Sequence, residues 1–306
     1  MQRRSFLLGA GALASAACAT SARPRPGPRR VAEPAVGRFT SSPWSFSTAS
    51  YWIEGPDGVV VIDTQFLASD ARSVIAAAER ATGKPVVAAI VLHPNPDKFN
   101  GTATFQAHGA RVLTSASVLA EIPAVHAQRL EAFGDRYAPD FPIAPPRPES
   151  FGASTTTLEL AGLSLRLHVL GAGCGAAHVV VQWRGHVFVG DLVAAGAHAW
   201  MELALLGPWL ERLTEIEAMH PVHVHPGRGP SGGPELLAMQ RAYLHDVAAR
   251  VDRAVATGPA SPPKAQQRLI AEITEAYPDH AFAVFLDVAM PALWREAKAR
   301  AARVDP

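Results

Sequence analysis

Four short apolar runs in this chain each end in a polar, ionisable residue. VVVID ends at Asp63, AIVLH at His93, HVFVGD at Asp191 and VHVH at His225. Apolar runs of this length predict buried β-strands. Polar groups at the carboxyl ends of buried strands are where α/β folds place their sites. The pattern therefore predicts an α/β fold with one site that is assembled from strand ends.

Strand and helix patterns alternate along the rest of the chain. Turn signals and apolar runs predict a hairpin over 46–62, a strand over 86–92 and antiparallel strands over 155–189. Helical apolar spacing predicts helices over 68–82, 98–108, 117–133, 208–219, 234–256, 263–277 and 286–302. Both halves supply sheets and helices, so we expect an αββα sandwich of two mixed sheets over 38–230, with a C-terminal helical extension over 231–306.

The N-terminal residues are typical of an export signal. Residues 1–22 combine Arg3 and Arg4 with a short apolar core and then small residues, as in a twin-arginine signal peptide. Residues 23–37 are rich in Pro and Arg and predict a disordered leader. These features predict a periplasmic protein. Cleavage is favoured over a lipid anchor at Cys18, because Ser15 stands where a lipoprotein signal usually has leucine.

Bulk composition excludes some partners and leaves others open. The net charge of +1 gives no general attraction to nucleic acid. No apolar stretch is long enough for a transmembrane helix. We therefore expect a small-molecule substrate or ligand, and the sequence makes no prediction of oligomeric state. Because Cys174 is the only cysteine besides Cys18, it is either a small buried residue or a reactive or metal-binding thiol.

Five stretches carry a resemblance to a known family. They are SYWIEGPDGVVVIDTQ, IVLHPNPDKFNG, GAGCGAAHVVV, HVFVGDLV and HPGRGP. In order and spacing they resemble the successive motifs of the metallo-β-lactamase superfamily, over roughly residues 38 to 245. The resemblance implies the two-sheet sandwich fold and a hydrolase that uses zinc. It also implies that Asp63 matches the family's buried structural aspartate near the site.

The family's metal ligands are only partly retained at the matching positions. His93 keeps the first histidine of H-x-H-x-D-H, Asp97 keeps the aspartate, and Asp191 keeps the aspartate that bridges two zinc ions. The turn histidine matches best to Cys174, with His178 four residues later. The remaining histidines are replaced, namely by Asn95, Lys98 and Arg228.

Two cations in place of two imidazoles repel a divalent ion. They also neutralise the carboxylates that would have bound it, because a buried carboxylate is tolerable when it is paired. We therefore predict ion pairs among Asp97, Lys98, Asp191 and Arg228 in place of the second metal. The first metal position retains His93, Cys174, Asp191 and His178 as candidate ligands, so the sequence leaves open one zinc or none.

Two functions remain open from the sequence. In the first, a hydroxide on a single zinc attacks an ester, lactam or thioester, and the candidate catalytic residues are Asp97, Lys98 and Arg228. In the second, the chain is a non-catalytic periplasmic binding protein that uses Lys98 and Arg228 to contact an anionic ligand or partner. A third, less favoured reading is metal-free thiol chemistry by Cys174 with His178 as base.

Overall fold

The computed structural model of this chain describes residues 36–259 and 261–304. The predicted signal peptide, the leader up to residue 35 and Cys18 lie outside the described residues and stay predictions. The leader boundary needs a correction, because a first strand, β1, spans Val36–Thr40. Its first two residues, Val36 and Gly37, pair with Ile53 and Trp52 of the next strand. A neighbouring strand edge therefore orders residues that the sequence assigns to the leader.

Two mixed sheets form the centre of the fold. The first has the order β1-β2-β3-β4-β5-β6 and the second the order β11-β10-β9-β8-β7. The strands after β1 are β2 Ala49–Gly55, β3 Gly58–Ile62, β4 Val86–Ile90, β5 Arg111–Thr114, β6 Glu149–Ser150, β7 Thr156–Leu160, β8 Leu163–Leu170, β9 His178–Trp183, β10 His186–Ala194 and β11 His223–Arg228. Strands β3 to β6 are parallel, as are β10 and β11, while the other pairs are antiparallel.

Eight helices of the described residues accompany these sheets. They are α1 Ala68–Thr82, α2 Pro96–Phe99, α3 Thr102–Ala107, α4 Ala116–Phe133, α5 Leu206–Glu217, α6 Glu235–Ala256, α7 Pro262–Ala276 and α8 Val284–Val304. Helices α1 and α3 pack on the first sheet, and α5 and α6 pack on β10 of the second. One apolar cluster joins inward side chains of both sheets, such as Val60, Ile62, Leu165 and Val179. The predicted αββα sandwich is therefore confirmed.

The helix predicted over 98–108 is broken into α2 and α3 between Asn100 and Gly101. Here the chain passes very close to its neighbour, since a Cβ built on Gly101 would lie 1.9 Å from the carbonyl oxygen of Thr64. Only glycine fits this approach. As a result α2 is a short, fully buried turn, and Lys98 within it points into the protein.

The C-terminal helices α6, α7 and α8 share an apolar core with the second sheet. Residues such as Leu237, Leu244, Ile273 and Met290 pack there against Val193 and Trp209. Phe285, near the start of α8, extends to the site and lies 5.3 Å below the guanidinium of Arg228. Within the described ranges, no helix is long and apolar enough to cross a membrane.

Candidate functional site

Polar residues at the strand ends meet where the two sheets approach each other. Asp63 follows β3, His93 follows β4, Asp191 lies within β10 and Arg228 ends β11. Each is at most 4% exposed. Contacts join them across the sheets, including 3.6 Å from His93 Nε2 to Asp191 Oδ2. Three of the four residues that end the apolar runs, Asp63, His93 and Asp191, are therefore close together, and Arg228 takes the place expected for His225.

Asp97, Lys98, Asp191 and Arg228 form a closed set of ion pairs, called here the ion-pair quartet. Lys98 Nζ lies 3.0 Å from Asp97 Oδ2 and 2.9 Å from Asp191 Oδ1. Arg228 bridges the same carboxylates, with Nη2 2.7 Å from Asp97 Oδ2 and Nη1 2.5 Å from Asp191 Oδ2. Each cation therefore contacts both carboxylates, as the sequence predicts.

Local backbone features place these four side chains. Pro96 occupies the first turn of α2, where its missing N–H is not needed. The register of β10 against β11 shifts on both sides of Asp191, and such irregularities re-aim side chains. A Cβ on Gly227 would lie 2.0 Å from Asp191 Oδ1. Glycine at that position therefore leaves the room that the Asp191 carboxylate occupies beside Arg228.

Neighbouring groups bind two further polar atoms of the quartet. Thr48 Oγ1 donates to Asp97 Oδ2 at 3.0 Å. Arg228 Nε donates to the carbonyl oxygen of Phe46 at 3.1 Å. Buried charges are tolerated only when they are paired and hydrogen-bonded. Every charge of the quartet is paired by the protein's own groups, although the ion pair of Lys98 Nζ with Asp191 Oδ1 at 2.9 Å lacks hydrogen-bond geometry.

The quartet is ionised at neutral pH. Burial alone raises the pKa of Asp191, but Arg228 and Lys98 outweigh it and hold that pKa well below its usual range. Burial is likewise outweighed at Asp97, whose pKa is lowered by the same two cations. Two cations therefore balance two carboxylates, and the quartet carries no net charge.

Asp63 behaves differently from the quartet carboxylates. Its Oδ1 accepts the backbone N–H of Leu92 at 2.9 Å, while Lys98 Nζ is 4.0 Å from Oδ2. Burial raises the pKa of Asp63 to about 8, and the partial opposing effect of Lys98 does not reverse this. Asp63 is therefore protonated at neutral pH and adds no charge to the quartet.

The second of the two zinc positions that the resemblance implies does not fit a metal. Its two retained carboxylates, Asp97 and Asp191, are already bound by Lys98 and Arg228. A divalent ion there would have to displace two buried cations whose charges oppose it. The residues at this position therefore replace a metal rather than bind one.

The first zinc position fails for a different reason, which lies in His178. Its Nδ1 contacts the carbonyl oxygen of Gly171 at 2.9 Å, and because a carbonyl only accepts, Nδ1 carries the proton. Nε2 then accepts the backbone N–H of Gly175 at 3.3 Å and lies 3.1 Å from Cys174 Sγ. The lone pair that a metal would need is already used. Across residues 36–259 and 261–304, no three or more His, Cys, Asp or Glu side chains are grouped to hold a metal ion.

Cys174 and His178 are in contact, but their protonation states are unfavourable for thiol catalysis. Burial raises the pKa of the Cys174 thiol well above its usual value, and Asp191 adds to this. Burial lowers the pKa of His178 to about 3, with His93 contributing. A neutral thiol therefore donates to a weakly basic imidazole, whereas reactive cysteines are thiolates.

We expect Cys174 to react slowly in the folded protein. At pH 7.5, iodoacetamide should modify it about tenfold or more slowly in the native chain than in urea, because the buried thiol stays protonated. Peptide mass spectrometry that follows the fragment containing Cys174 measures both rates. Equal rates in the two conditions would show instead an accessible thiolate and would revive the reading of Cys174 as a nucleophile.

Two adjoining pockets lie beside the quartet and share Asn95, Arg129 and Trp200. The aromatic pocket lies over the quartet and is lined mainly by rings, those of Phe46, Phe66, Phe133, Trp200 and Phe285. The open pocket encloses about 650 Å³ of empty space, including its mouth, and reaches His93 and Cys174.

Two further buried histidines, His198 and His225, lie away from this site. His198 Nδ1 contacts the hydroxyl of Tyr243 on helix α6 at 2.9 Å. His225 contacts His186 at 2.9 Å and stacks on Phe188. Its side chain therefore does not join the quartet, although VHVH was one of the four apolar runs that suggested the site.

Three residues of the site give no sequence signal. Arg129 on α4, Glu202 before α5 and Phe285 on α8 all line or bridge the pockets. Arg129 and Glu202 form an ion pair although they are 73 residues apart in the chain. No motif or spacing rule links positions so far apart, and an alignment of related sequences would be the signal that could reveal them.

Comparison with known proteins agrees with this geometry. A family model described as the metallo-beta-lactamase superfamily matches residues 44–232. A metallo-beta-lactamase from Pontibacter korlensis is similar in structure, with a TM-score of 0.52, 20% identity, and coverage of 69% of this chain and 93% of that one. The metallo-beta-lactamase DIM-1 has a TM-score of 0.54 at 16% identity, with coverage of 69% and 93%.

FIM-1 from Pseudomonas aeruginosa, in a mono-zinc form, has a TM-score of 0.52 and 17% identity over 69% of this chain and 89% of its own. At these identities the structural likeness shows the fold alone. No curated protein sequence matches the chain. The family match, however, covers more than half of the chain and includes every residue of the quartet. The chain belongs to the metallo-beta-lactamase superfamily.

Proposed function

We propose that this chain is a metal-free member of its superfamily that binds a small molecule in the open pocket and does not hydrolyse it through zinc. The ion-pair quartet supports this most directly. Lys98 and Arg228 lie at the position of the second metal site of the family. They pair there with both Asp97 and Asp191. Beside this neutral, closed cluster lies the open pocket, whose wall includes apolar residues such as Val125, Trp200 and Leu203.

The proposal differs from both functions that the sequence leaves open. A zinc hydroxide is disfavoured because the Nε2 lone pair of His178 is already used and the Cys174 thiol stays protonated. Asp191 is in addition held by Lys98 and Arg228. An anion contact at Lys98 lacks surface, because that side chain is 0% exposed. Binding by the walls of the open pocket requires neither of these features.

Zinc content tests the metal-free part of the proposal. After incubation with excess zinc and gel filtration, the full chain should retain less than about 0.1 zinc per molecule by mass spectrometry. The matched control is the triple variant Asn95→His, Lys98→His and Arg228→His, which restores the replaced ligands and should retain zinc. About one zinc in the native chain, removed by His93→Ala, would overturn the proposal. So would turnover of an ester or lactam that a chelator abolishes.

A ligand screen tests the binding part. Small molecules that raise the melting temperature should no longer do so in Trp200→Ala, since Trp200 lines both pockets. Trp44→Ala is the control, because Trp44 is 52% exposed and lines neither pocket. Ligands that bind Trp200→Ala and the native chain equally well would place the binding site elsewhere.

A further inference from the structure

Arg129 is a cation in the wall of the open pocket. It lies near the end of α4, and its side chain is 9% exposed. Nη1 donates to Glu202 Oε1 at 3.1 Å and Nη2 donates to Glu202 Oε2, so the pair is bidentate. The guanidinium also lies 5.1 Å from the ring of Trp200. Paired and stacked in this way, it has the geometry of a carboxylate receptor.

The carboxylate that Arg129 holds comes from an irregular segment of the chain. Glu202 lies between β10 and α5, next to Leu203, which is 45% exposed. Its side chain is 23% exposed and also accepts from Trp200 Nε1 at 3.2 Å and Gln128 Nε2 at 3.3 Å. Burial opposes ionisation, but hydrogen bonding to Arg129 outweighs it and lowers the pKa of Glu202. Glu202 is therefore a charged group that is less deeply buried than the quartet carboxylates, which are 3% exposed.

This distinguishes Arg129 from the cations of the quartet. Lys98 and Arg228 are each held by two carboxylates that are at most 3% exposed. Breaking those pairs would leave buried charges without a partner. Among the residues that the structure describes, Arg129 pairs with one carboxylate, that of Glu202, which is 23% exposed.

We propose that the open pocket binds a small apolar monocarboxylate, whose carboxylate replaces Glu202 on Arg129. This rests on the proposed binding function and names its ligand class. The body of such a ligand would contact apolar wall residues, namely Pro94, Val125, Ala176, Trp200 and Leu203. Glu202 then acts as an internal competitor that occupies the receptor until the ligand arrives.

Glu121, also on α4, is the other carboxylate in the wall of the open pocket. It is partly exposed and makes no ion pair or hydrogen bond among the contacts of the described residues. Its negative charge disfavours any anion in the pocket, but solvent partly screens this repulsion. Glu121 therefore provides a matched control, since Glu121→Gln and Glu202→Gln remove the same charge from the same pocket and only the second frees Arg129.

Ligand-observed NMR titrations of the full chain with phenylacetate, phenylacetamide and phenethylamine test the inference. Phenylacetate should bind tightest, and Arg129→Gln should remove its advantage over the amide. Glu202→Gln should strengthen phenylacetate binding about tenfold, because the ligand carboxylate no longer competes with the Glu202 carboxylate for Arg129. A factor of ten corresponds to about one charge-assisted hydrogen bond. Glu121→Gln should change it by less than about threefold. Circular dichroism and melting curves check that each variant is folded.

Equal affinity for phenylacetate and phenylacetamide, each dependent on Trp200, would overturn the carboxylate inference and leave cleft binding intact. Tightest binding of phenethylamine, weakened by Glu121→Gln, would overturn it in favour of a cationic ligand. If Glu121→Gln and Glu202→Gln strengthen phenylacetate binding equally, the effect comes from the net charge of the pocket. That result would overturn the inference that Glu202 competes for Arg129. Binding of none of the three probes, even by Glu202→Gln, would also overturn it.

Discussion

Replacing Lys98 with methionine is expected to lower the free energy of unfolding by about 3–5 kcal/mol. Lys98 is 0% exposed, and its ammonium contacts the carboxylates of Asp97 and Asp191. Without it, two buried carboxylates share the single cation Arg228, so one negative charge is left uncompensated. Urea denaturation at pH 7 measures the difference directly.

Lys84→Met is the matched control for this prediction. Lys84 also pairs with a carboxylate, at 2.9 Å from Glu54, but the two side chains are 33% and 30% exposed. Such a pair contributes about 1 kcal/mol or less. Similar small losses in both variants would show that the quartet is not a buried electrostatic unit.

A double variant separates charge balance from packing. Lys98→Met with Asp97→Asn removes one cation and one anion and leaves Arg228 paired with Asp191. We expect the double variant to be more stable than Lys98→Met alone, because its remaining charges balance. A double variant that is less stable than the single one would assign the loss to packing or hydrogen bonding around Lys98.

The quartet explains how a sandwich of this kind holds its strand ends together without an ion. In a two-metal site, positive charge between the carboxylates comes from outside the chain. Here it comes from Lys98 on α2, which follows β4 of the first sheet, and from Arg228 at the end of β11 in the second sheet. The ion pairs therefore connect the two sheets, and we expect folding to be insensitive to chelators.

Periodicity was enough to predict most of the fold, and two of its failures have tertiary causes. β1 has little apolar alternation, and it is ordered by the hairpin edge beside it, where Trp52 covers Gly37. The helical pattern over 98–108 is continuous in the sequence, but the close approach of Gly101 to Thr64 breaks it. Both depend on contacts between distant parts of the chain, which no local pattern encodes.

The candidate site was predictable only where a family motif marks the position. The family resemblance places Asp97, Lys98, Asp191 and Arg228 at positions that meet in one site. With that placement, charge arguments predicted their pairing. Arg129 and Phe285 come from helices whose sequences carry no comparable mark, and the fold brings them to the cleft. The sequence therefore predicts what replaces the second metal but not which residues line the pocket.

Acid should destabilise the protein well before its carboxylates titrate. Burial lowers the pKa of His178 to about 3, with a contribution from His93, and burial lowers that of His225 to about 3. In the unfolded chain both take up a proton below about pH 6.5. The stability that they contribute is therefore complete above pH 6.5 and is lost as pH falls toward 3.

Urea denaturation between pH 7 and 4.5 should show this loss, amounting to several kcal/mol. His225→Gln should flatten the pH dependence in part, because it removes one of several responsible groups; burial also lowers the pKa of His198 to about 4. His245→Gln, at an exposed position on α6, should leave the slope unchanged. A native slope that neither variant changes would contradict the assignment to buried neutral histidines.

Asp63 should produce the opposite trend on the other side of neutrality. Its folded pKa is raised to about 8, chiefly by burial, whereas an aspartate in the unfolded chain ionises near pH 4 by roughly its ordinary pKa. The folded chain thus holds a proton that the unfolded chain releases, so stability falls as pH rises from about 4 to 8. Below about pH 6.5 the histidines have the larger effect on the free energy of unfolding, and from pH 6.5 to 8 the effect of Asp63 dominates.

We therefore expect maximal stability near pH 6.5 and a decline toward pH 8 that Asp63→Asn abolishes. If the decline persists in Asp63→Asn, the proton is held by another group.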